Sequence, residues 1–173
     1  FQGSRGLGDV YKRQLVYLCR PQSKGHISLK SADPKDDPLM YPNYLSVEQD
    51  LVDTRNGLRE ARRVFMQPLF DEFRGEELKP GPDVDIDNDD ELDAWIKETG
   101  ETLYHPVGTC KMGIDDFAVT NEHGQVHGVN SLRVVDASLM PSLIAGNTNA
   151  PTIMIAEKIS DHINGKSYLS KEN

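Results

Sequence analysis

Residues 104–113 read YHPVGTCKMG and bring together a histidine, a proline, two glycines, a hydroxyl and a thiol. Few of these side chains can fill a core, so the stretch is not typical of a strand or helix that only packs. Two interpretations follow from the residues. The stretch is either an ordinary turn that holds an inert, hydrogen-bonded histidine, or a backbone shaped to present His105. The histidine alone favours the first, and the rest of the chain decides between them.

A second polar loop, residues 143–150 (LIAGNTNA), lies between a predicted strand at 132–136 (LRVVD) and a helix that Pro151 opens. The free N–H groups at a helix start attract electron-rich groups. An asparagine in such a loop can hydrogen-bond a substrate oxygen, and a nearby histidine can take that oxygen's proton. Together, the two loops favour removal of a proton and a hydride from an alcohol beside a hydride acceptor.

Metal binding is the competing chemistry. Cys110, His123 and His127 have the spacing of half a zinc finger, and His105 is a possible fourth ligand. The stretch between the two later histidines is turn-like, however, whereas a finger places both on one helix. Residues 83–93 (DVDIDNDDELD) begin like a calcium loop, but Ala94 stands where a bidentate glutamate is needed. We therefore predict no metal site, and we interpret residues 83–93 as a solvated acidic loop.

The remaining pattern predicts a mixed fold. Residues 26–30 alternate as a half-buried strand, and residues 31–44 are expected to form a loop because of their prolines. A helix is predicted at 46–67, with Ser46 and Gln49 as its capping box. Its apolar face is Leu51, Leu58, Ala61 and Phe65.

Two further helices are predicted. Carboxylates at a helix start favour one at 89–99, anchored by Trp95 and Ile96. The last helix is expected at 152–164, with a buried face of Ile153, Ile155, Ala156 and Ile159.

Composition excludes several classes of protein. The chain has 173 residues, 37% of them hydrophobic and 27% charged, which is typical of a globular domain. A net charge of −9 argues against a surface for nucleic acid or anionic membranes. No run approaches the roughly 18 apolar residues of a membrane span. Residues 1–14 lack any apolar period and are interpreted as a non-native or disordered leader.

Three blocks then identify a family. YHPVGTCKMG, VHGVNSLRVVDASLMP and GNTNAPTIMIAEKISD resemble, in order and spacing, signature blocks of the C-terminal part of glucose-methanol-choline (GMC) oxidoreductases. These flavoenzymes oxidise alcohols. Two upstream segments, RPQSKGHISLKSADP and DPLMYPNYLS, resemble the choline- and glucose-dehydrogenase-like branch.

The resemblance implies roles for individual residues. His105 matches the base that takes the hydroxyl proton as hydride passes to N5 of FAD. Asn147 matches the position of a second catalytic His or Asn and would act as a hydrogen-bond partner. Asp136 and Ala137 match the turn that approaches the phosphates and ribityl chain of FAD. Thr148 and Asn149 match backbone contacts to the flavin ring.

The implied architecture is α+β. It comprises a mostly antiparallel substrate-domain sheet, joined by residues 26–30 and 105–110, with packed helices. The last strand and helix of an FAD-binding domain complete it. Residues 15–165 would form the GMC C-terminal domain, and residues 166–173 would form a tail. The last helix of that domain would carry an exposed apolar patch. The implied partners are a small alcohol and a missing N-terminal FAD-binding half. The alternative is a non-catalytic small zinc-binding or interaction module.

The dinucleotide fingerprint Gly-x-Gly-x-x-Gly after a strand is absent from these 173 residues. We therefore expect the isolated chain to bind no flavin and to oxidise no alcohol. The absorption spectrum of the purified chain after incubation with FAD tests this expectation. A stoichiometric yellow chromophore on the chain would contradict it.

Overall fold

The computed structural model describes residues 14–166. Within that range the chain forms three α-helices: α1 (Glu48–Phe65), α2 (Asp89–Thr99) and α3 (Asn149–Ile163). Two strands, β1 (His26–Ser28) and β2 (Leu39–Tyr41), form an antiparallel sheet. The α+β class is therefore confirmed. The predicted leader up to residue 13 and the tail from residue 167 lie outside the described residues.

The sheet is smaller than the sequence predicted. Strand β1 falls within the predicted strand, and its central Ile27 pairs with Met40 of β2. Strand β2 was predicted as loop, and that prediction was wrong. Pro38 and Pro42 exclude a helix, but they leave room between them for a short strand. All residues of both strands are exposed.

Two other strand predictions were wrong. Residues 105–110 do not join the sheet and are irregular. Residues 132–136 form no strand and contribute only one isolated bridge, between Gln125 and Arg133. Single backbone hydrogen bonds hold this segment instead, from Val126 N to Leu132 O and from Val134 N to Gly124 O. The segment therefore has isolated backbone pairing but lacks the continuous ladder of a strand.

Helix α1 begins at Glu48, two residues after Ser46, the residue predicted to cap it. Val47, in an extended conformation, is the N-cap and makes no side-chain capping bond. The predicted capping box is wrong because both of its members are engaged elsewhere. The Ser46 hydroxyl accepts a bond from the Asn43 amide, and the Gln49 amide donates to Asp53.

Helix α2 has the bounds that were predicted. The Asn88 side chain caps it by accepting bonds from the N–H groups of Asp90 and Glu91. Carboxylates in the first turn favour this helix end because of the helix dipole. The acidic segment thus serves as a helix start.

Helices α1 and α2 pack together to form the described hydrophobic cluster. Its buried members are Leu51, Ile86, Leu92 and Ile96, and it is covered by Leu45, Leu58, Val84 and Trp95. The predicted roles of Trp95 and Ile96 as anchors are confirmed. Arg55 of α1 adds an ion pair with Asp93 of α2 at 2.8 Å, and Arg62 of α1 pairs with Glu77 of the connecting segment at 3.0 Å.

Helix α3 starts at Asn149, three residues before the predicted start, with Pro151 in its first turn. Ile159 is buried as predicted, and Ile155 and Ala156 are half-buried. Ile153 was predicted to be buried but is exposed, together with Met154 and Ile163. These residues are exposed apolar side chains on the last helix, and the predicted patch stays a prediction. No helix among the described residues is long and apolar enough to cross a membrane.

Asp50 ties the N-terminal segment to α1. The residue is only 1% exposed, and its carboxylate accepts bonds from the backbone N–H groups of Gln22, at 2.9 Å, and Ser23, at 2.8 Å. Burial raises the pKa of Asp50, but these hydrogen bonds outweigh it and leave the pKa below its usual value of 3.8. The carboxylate therefore stabilises the fold in its charged form.

We expect Asp50→Asn to destabilise the protein by about 1–3 kcal/mol, because the amide can present only one acceptor oxygen to the two backbone donors that the buried carboxylate now serves. Urea unfolding near neutral pH measures the loss. The control is Asp53→Asn. Position 53 is exposed, and the oxygen of the new amide can still accept the hydrogen bond from Gln49.

The same contact predicts a dependence on pH. Because the folded pKa of Asp50 is lowered, its contribution is fully present above pH 3.8 and is lost as the pH falls through the folded pKa. Asp50→Asn should therefore remove part of the acid sensitivity of unfolding. Equal unfolding free energies for Asp50→Asn and Asp53→Asn near neutral pH would contradict the role of Asp50.

Candidate active site

The loop that carries His105 is held in place by its backbone. Cys110 N donates to Ser138 O at 3.1 Å, and Met112 N donates to Leu139 O at 2.9 Å. Tyr104, immediately before the histidine, has a positive φ of 61° and is exposed. Such a conformation is uncommon for an aromatic residue and concentrates at functional sites. The loop therefore has a defined shape without belonging to a strand or helix.

Thr120 is hydrogen-bonded to the end of the His105 loop. The residue is completely buried, and its hydroxyl donates to Cys110 O at 3.1 Å. Gly113 N in turn donates to Thr120 O at 2.9 Å. These bonds fix the end of the His105 loop against the segment that follows it.

The second polar loop ends at Thr148, the N-cap of α3. Its carbonyl accepts bonds from Thr152 N, at 3.0 Å, and from the Thr152 hydroxyl, at 2.6 Å, so the first helical turn holds the backbone of Thr148. The hydroxyl of Thr148 is hydrogen-bonded to His105 Nδ1 at 2.9 Å. This contact brings together the two loops that the sequence singled out.

The other predicted site residues differ in their surroundings. Asp136 is exposed and caps a short 3₁₀ helix (Ala137–Leu139), accepting from Ser138 N at 2.8 Å. Ala137 is half-buried as the first residue of that helix. Asn147 and Asn149 are exposed on either side of buried Thr148. Capping accounts for Asp136 within this chain, and its predicted role toward FAD stays a prediction.

The residues of the zinc alternative are held in separate contacts. The ring of His123 stacks on that of His162, with centroids 3.7 Å apart and planes at 4°. His127 Nε2 is hydrogen-bonded to Gly113 O at 3.1 Å. Within residues 14–166, no group of three or more histidine, cysteine, aspartate or glutamate side chains is placed to hold a metal ion.

His105 is half-buried, and one of its ring nitrogens is engaged by Thr148. A histidine that is fixed at Nδ1 can exchange a proton at Nε2. The hydrogen bond at Nδ1 thus gives the His105 ring a fixed partner in the second loop. Sequence reasoning gave His105 the role of a base but missed the hydroxyl of Thr148, which was predicted to act through its backbone alone.

Comparison with known proteins defines the class. The C-terminal domain profile of GMC oxidoreductases matches residues 21–156. The chain belongs to the GMC oxidoreductase family and corresponds to its C-terminal domain.

Particular relatives are also similar. The chain is 53% identical over 173 residues to an oxygen-dependent choline dehydrogenase of Yersinia pseudotuberculosis, covering 100% of the chain and 30% of that protein. This match includes the residues interpreted as a leader. A second enzyme of the same description, from Pseudomonas savastanoi, is 45% identical over 171 residues, 99% of the chain and 30% of that protein. The chain thus spans about 30% of the length of these relatives.

A solved structure agrees with this assignment. Pyridoxine 4-oxidase from Mesorbium loti superposes with a TM-score of 0.79 at 30% identity, over 87% of this chain and 29% of that one. This similarity extends beyond the site to most of the described fold.

Gly124 offers a test of how the loops are packed. It is buried with a φ of +71°, and an added Cβ would lie 2.6 Å from Val134 O. Gly128 has a φ of +74°, but among residues 14–166 no atom lies within 4 Å of an added Cβ. We expect both alanine variants to lose about 1–2 kcal/mol through left-handed strain. Gly124→Ala should lose about 1–3 kcal/mol more because of the overlap.

Urea unfolding of the two glycine variants measures the difference directly. Because the two residues share a conformation, Gly128→Ala is a matched control for strain without overlap. If both variants lose the same free energy, the close approach of residues 124 and 134 is not a constraint on this fold.

Proposed function

We propose that this chain forms the substrate side of an FAD-dependent alcohol oxidoreductase and supplies its catalytic base, His105. The observation that carries the proposal is the hydrogen bond of 2.9 Å between His105 Nδ1 and the Thr148 hydroxyl. It joins two family blocks that lie 43 residues apart in sequence. Neither block alone would place a base beside the start of a helix.

The proposed mechanism uses two side chains on the alcohol. His105 accepts the hydroxyl proton at Nε2, the ring nitrogen that Thr148 does not engage. Asn147 directly precedes Thr148 in the chain, and its exposed amide can donate a hydrogen bond to the same oxygen. As the proton leaves, the C–O bond gains double-bond character, and the hydrogen on carbon departs with its electron pair.

The residues at the start of α3 fit an electron-rich cofactor edge. Thr148 makes no side-chain capping bond, so the N–H groups of Asn149 and Ala150 in the first turn receive no cap from it. Uncapped N–H groups at a helix start favour electron-rich partners. In this proposal Thr148 and Asn149 would hold the flavin ring through backbone groups, and Asp136 and Ala137 would lie at the turn that receives its phosphates and ribityl chain. When bound, FAD supplies the acceptor for the hydride.

The relatives support one substrate class. Both curated enzymes are described as oxygen-dependent choline dehydrogenases. We therefore propose choline as the alcohol and oxygen as the terminal electron acceptor. The formate oxidase of Aspergillus oryzae, for which FAD modification is described, superposes with a TM-score of 0.79 at 29% identity. It supports FAD as the cofactor.

In the full-length enzyme, we expect His105→Ala to lower kcat for choline by about 10²-fold or more, because general-base catalysis typically contributes that much. Steady-state turnover at matched flavin content measures the effect. His127→Ala is the control, since His127 is exposed and its ring bonds only a backbone carbonyl among the described residues. A change of less than a few-fold in the His105 variant would remove it from the mechanism.

A further inference from the structure

The contact between Thr148 and His105 has the features of a support for the base. Thr148 is only 8% exposed, whereas its neighbours Asn147 and Asn149 are exposed. Its side chain does not cap α3, although threonine commonly caps a helix from this position. The hydroxyl is instead hydrogen-bonded to His105 Nδ1. The start of α3 thus lacks a side-chain capping bond, and the Thr148 hydroxyl that could form it is bonded to the His105 imidazole.

A hydroxyl can meet an imidazole nitrogen in two ways. If the hydroxyl donates, Nδ1 is the acceptor, Nε2 carries the hydrogen, and the ring cannot take a proton there. If the hydroxyl oxygen accepts, Nδ1 carries the hydrogen and Nε2 keeps its lone pair. Which nitrogen carries the hydrogen is therefore set by the partner at Nδ1.

We propose that Thr148 is a positioning residue whose hydroxyl oxygen accepts a hydrogen bond from Nδ1–H of His105, so that the Nε2 lone pair is available to the substrate. This inference rests on the proposed function of His105 as the base. It adds a residue, a direction for the bond and a tautomer to that proposal.

The proposed bond is compatible with the whole proton transfer. Before the step, His105 is neutral with hydrogen on Nδ1. Nε2 then takes the hydroxyl proton of the alcohol, and the C–H electron pair leaves as hydride to the flavin of the proposed function. The resulting imidazolium still carries hydrogen on Nδ1, so the Thr148 oxygen accepts the same bond throughout.

Threonine is suited to this role. Its β-branched side chain has few χ1 rotamers, and its backbone is held by the first turn of α3. Burial limits competition from water for the hydroxyl oxygen. A partner fixed in this way orients the ring at little entropic cost.

The variants that test the proposal are Thr148→Val and Thr148→Ser in the full-length enzyme. Valine keeps the shape and removes the hydroxyl, while serine keeps the hydroxyl. The control for removing a hydroxyl is Thr99→Val, because the Thr99 hydroxyl donates only to Trp95 O within α2 among the described residues. Flavin content and thermal midpoint are measured for each variant.

We expect Thr148→Val to lower kcat for choline by about 3- to 10-fold, which is the equivalent of one net hydrogen bond of about 0.5–1.5 kcal/mol. KM should change little, because the bond orients the base and does not bind the substrate. Thr148→Ser should recover most of the rate, and Thr99→Val should match the unsubstituted enzyme. A packing defect alone would affect the serine variant more than the valine variant, because only serine loses the methyl group.

A spectroscopic measurement tests the tautomer without turnover. In enzyme labelled with ¹⁵N-histidine, the His105 signals are those that disappear in His105→Gln. At a pH where the ring is neutral, we expect a pyrrole-type signal for Nδ1 and a pyridine-type signal for Nε2. In Thr148→Val the two signals should move toward each other as the tautomers mix.

The outcomes separate the two proposals. If His105→Ala lowers kcat by about 10²-fold or more while the valine and serine variants at 148 both match the unsubstituted enzyme, the base stands and the positioning role fails. If His105→Ala lowers kcat by less than a few-fold, the proposed function itself fails. A spectrum with hydrogen on Nε2 in the unsubstituted enzyme overturns the positioning role even where Thr148→Val does not fold.

Discussion

The site depends on two backbone hydrogen bonds that hold the His105 loop against the short 3₁₀ helix (Ala137–Leu139). Cys110 N binds Ser138 O and Met112 N binds Leu139 O, beside the buried side chains of Leu139 and Met140. Neither bond belongs to a helix or to the sheet. They nevertheless bring a loop with no regular structure within reach of a helix that begins more than 40 residues after His105. The contact between His105 and Thr148 is a consequence of this arrangement.

The fold could be predicted where local chemistry is sufficient. Helix α2 was placed with its observed bounds because the carboxylates of its first turn favour a helix start there. Helix α1 was found from its apolar face, but its start was misplaced because Ser46 and Gln49 bond other side chains. Strand β2 was missed because its pairing partners in β1 lie 11 to 15 positions away. Residues 132–136 have strand-like composition but only one isolated bridge partner.

The site was predicted in outline and not in detail. The residues of the two polar loops, together with the resemblance to a family, gave His105 and its partner loop. The direction of one side chain could not be read from them. Thr148 precedes a helix and would ordinarily cap it, so its turn toward His105 depends on a contact 43 residues away in sequence. Local pattern carries no information on such a contact, because it is decided by packing.

The arginines of α1 neutralise part of the charge of the acidic segment at residues 83–93, which cannot be read from the sequence of that segment. Arg55 and Arg59 both pair with Asp89, and Arg55 also pairs with Asp93. These cations act as tethered counter-ions, whose effective concentration is set by the connecting chain and not by the solvent. Charge on the side toward α1 is therefore compensated internally, while Asp83, Asp85, Asp87 and Asp90 remain exposed. The segment is a polarised surface, neutralised within and anionic outside, and its outer side repels other acidic surfaces, including that of a second copy.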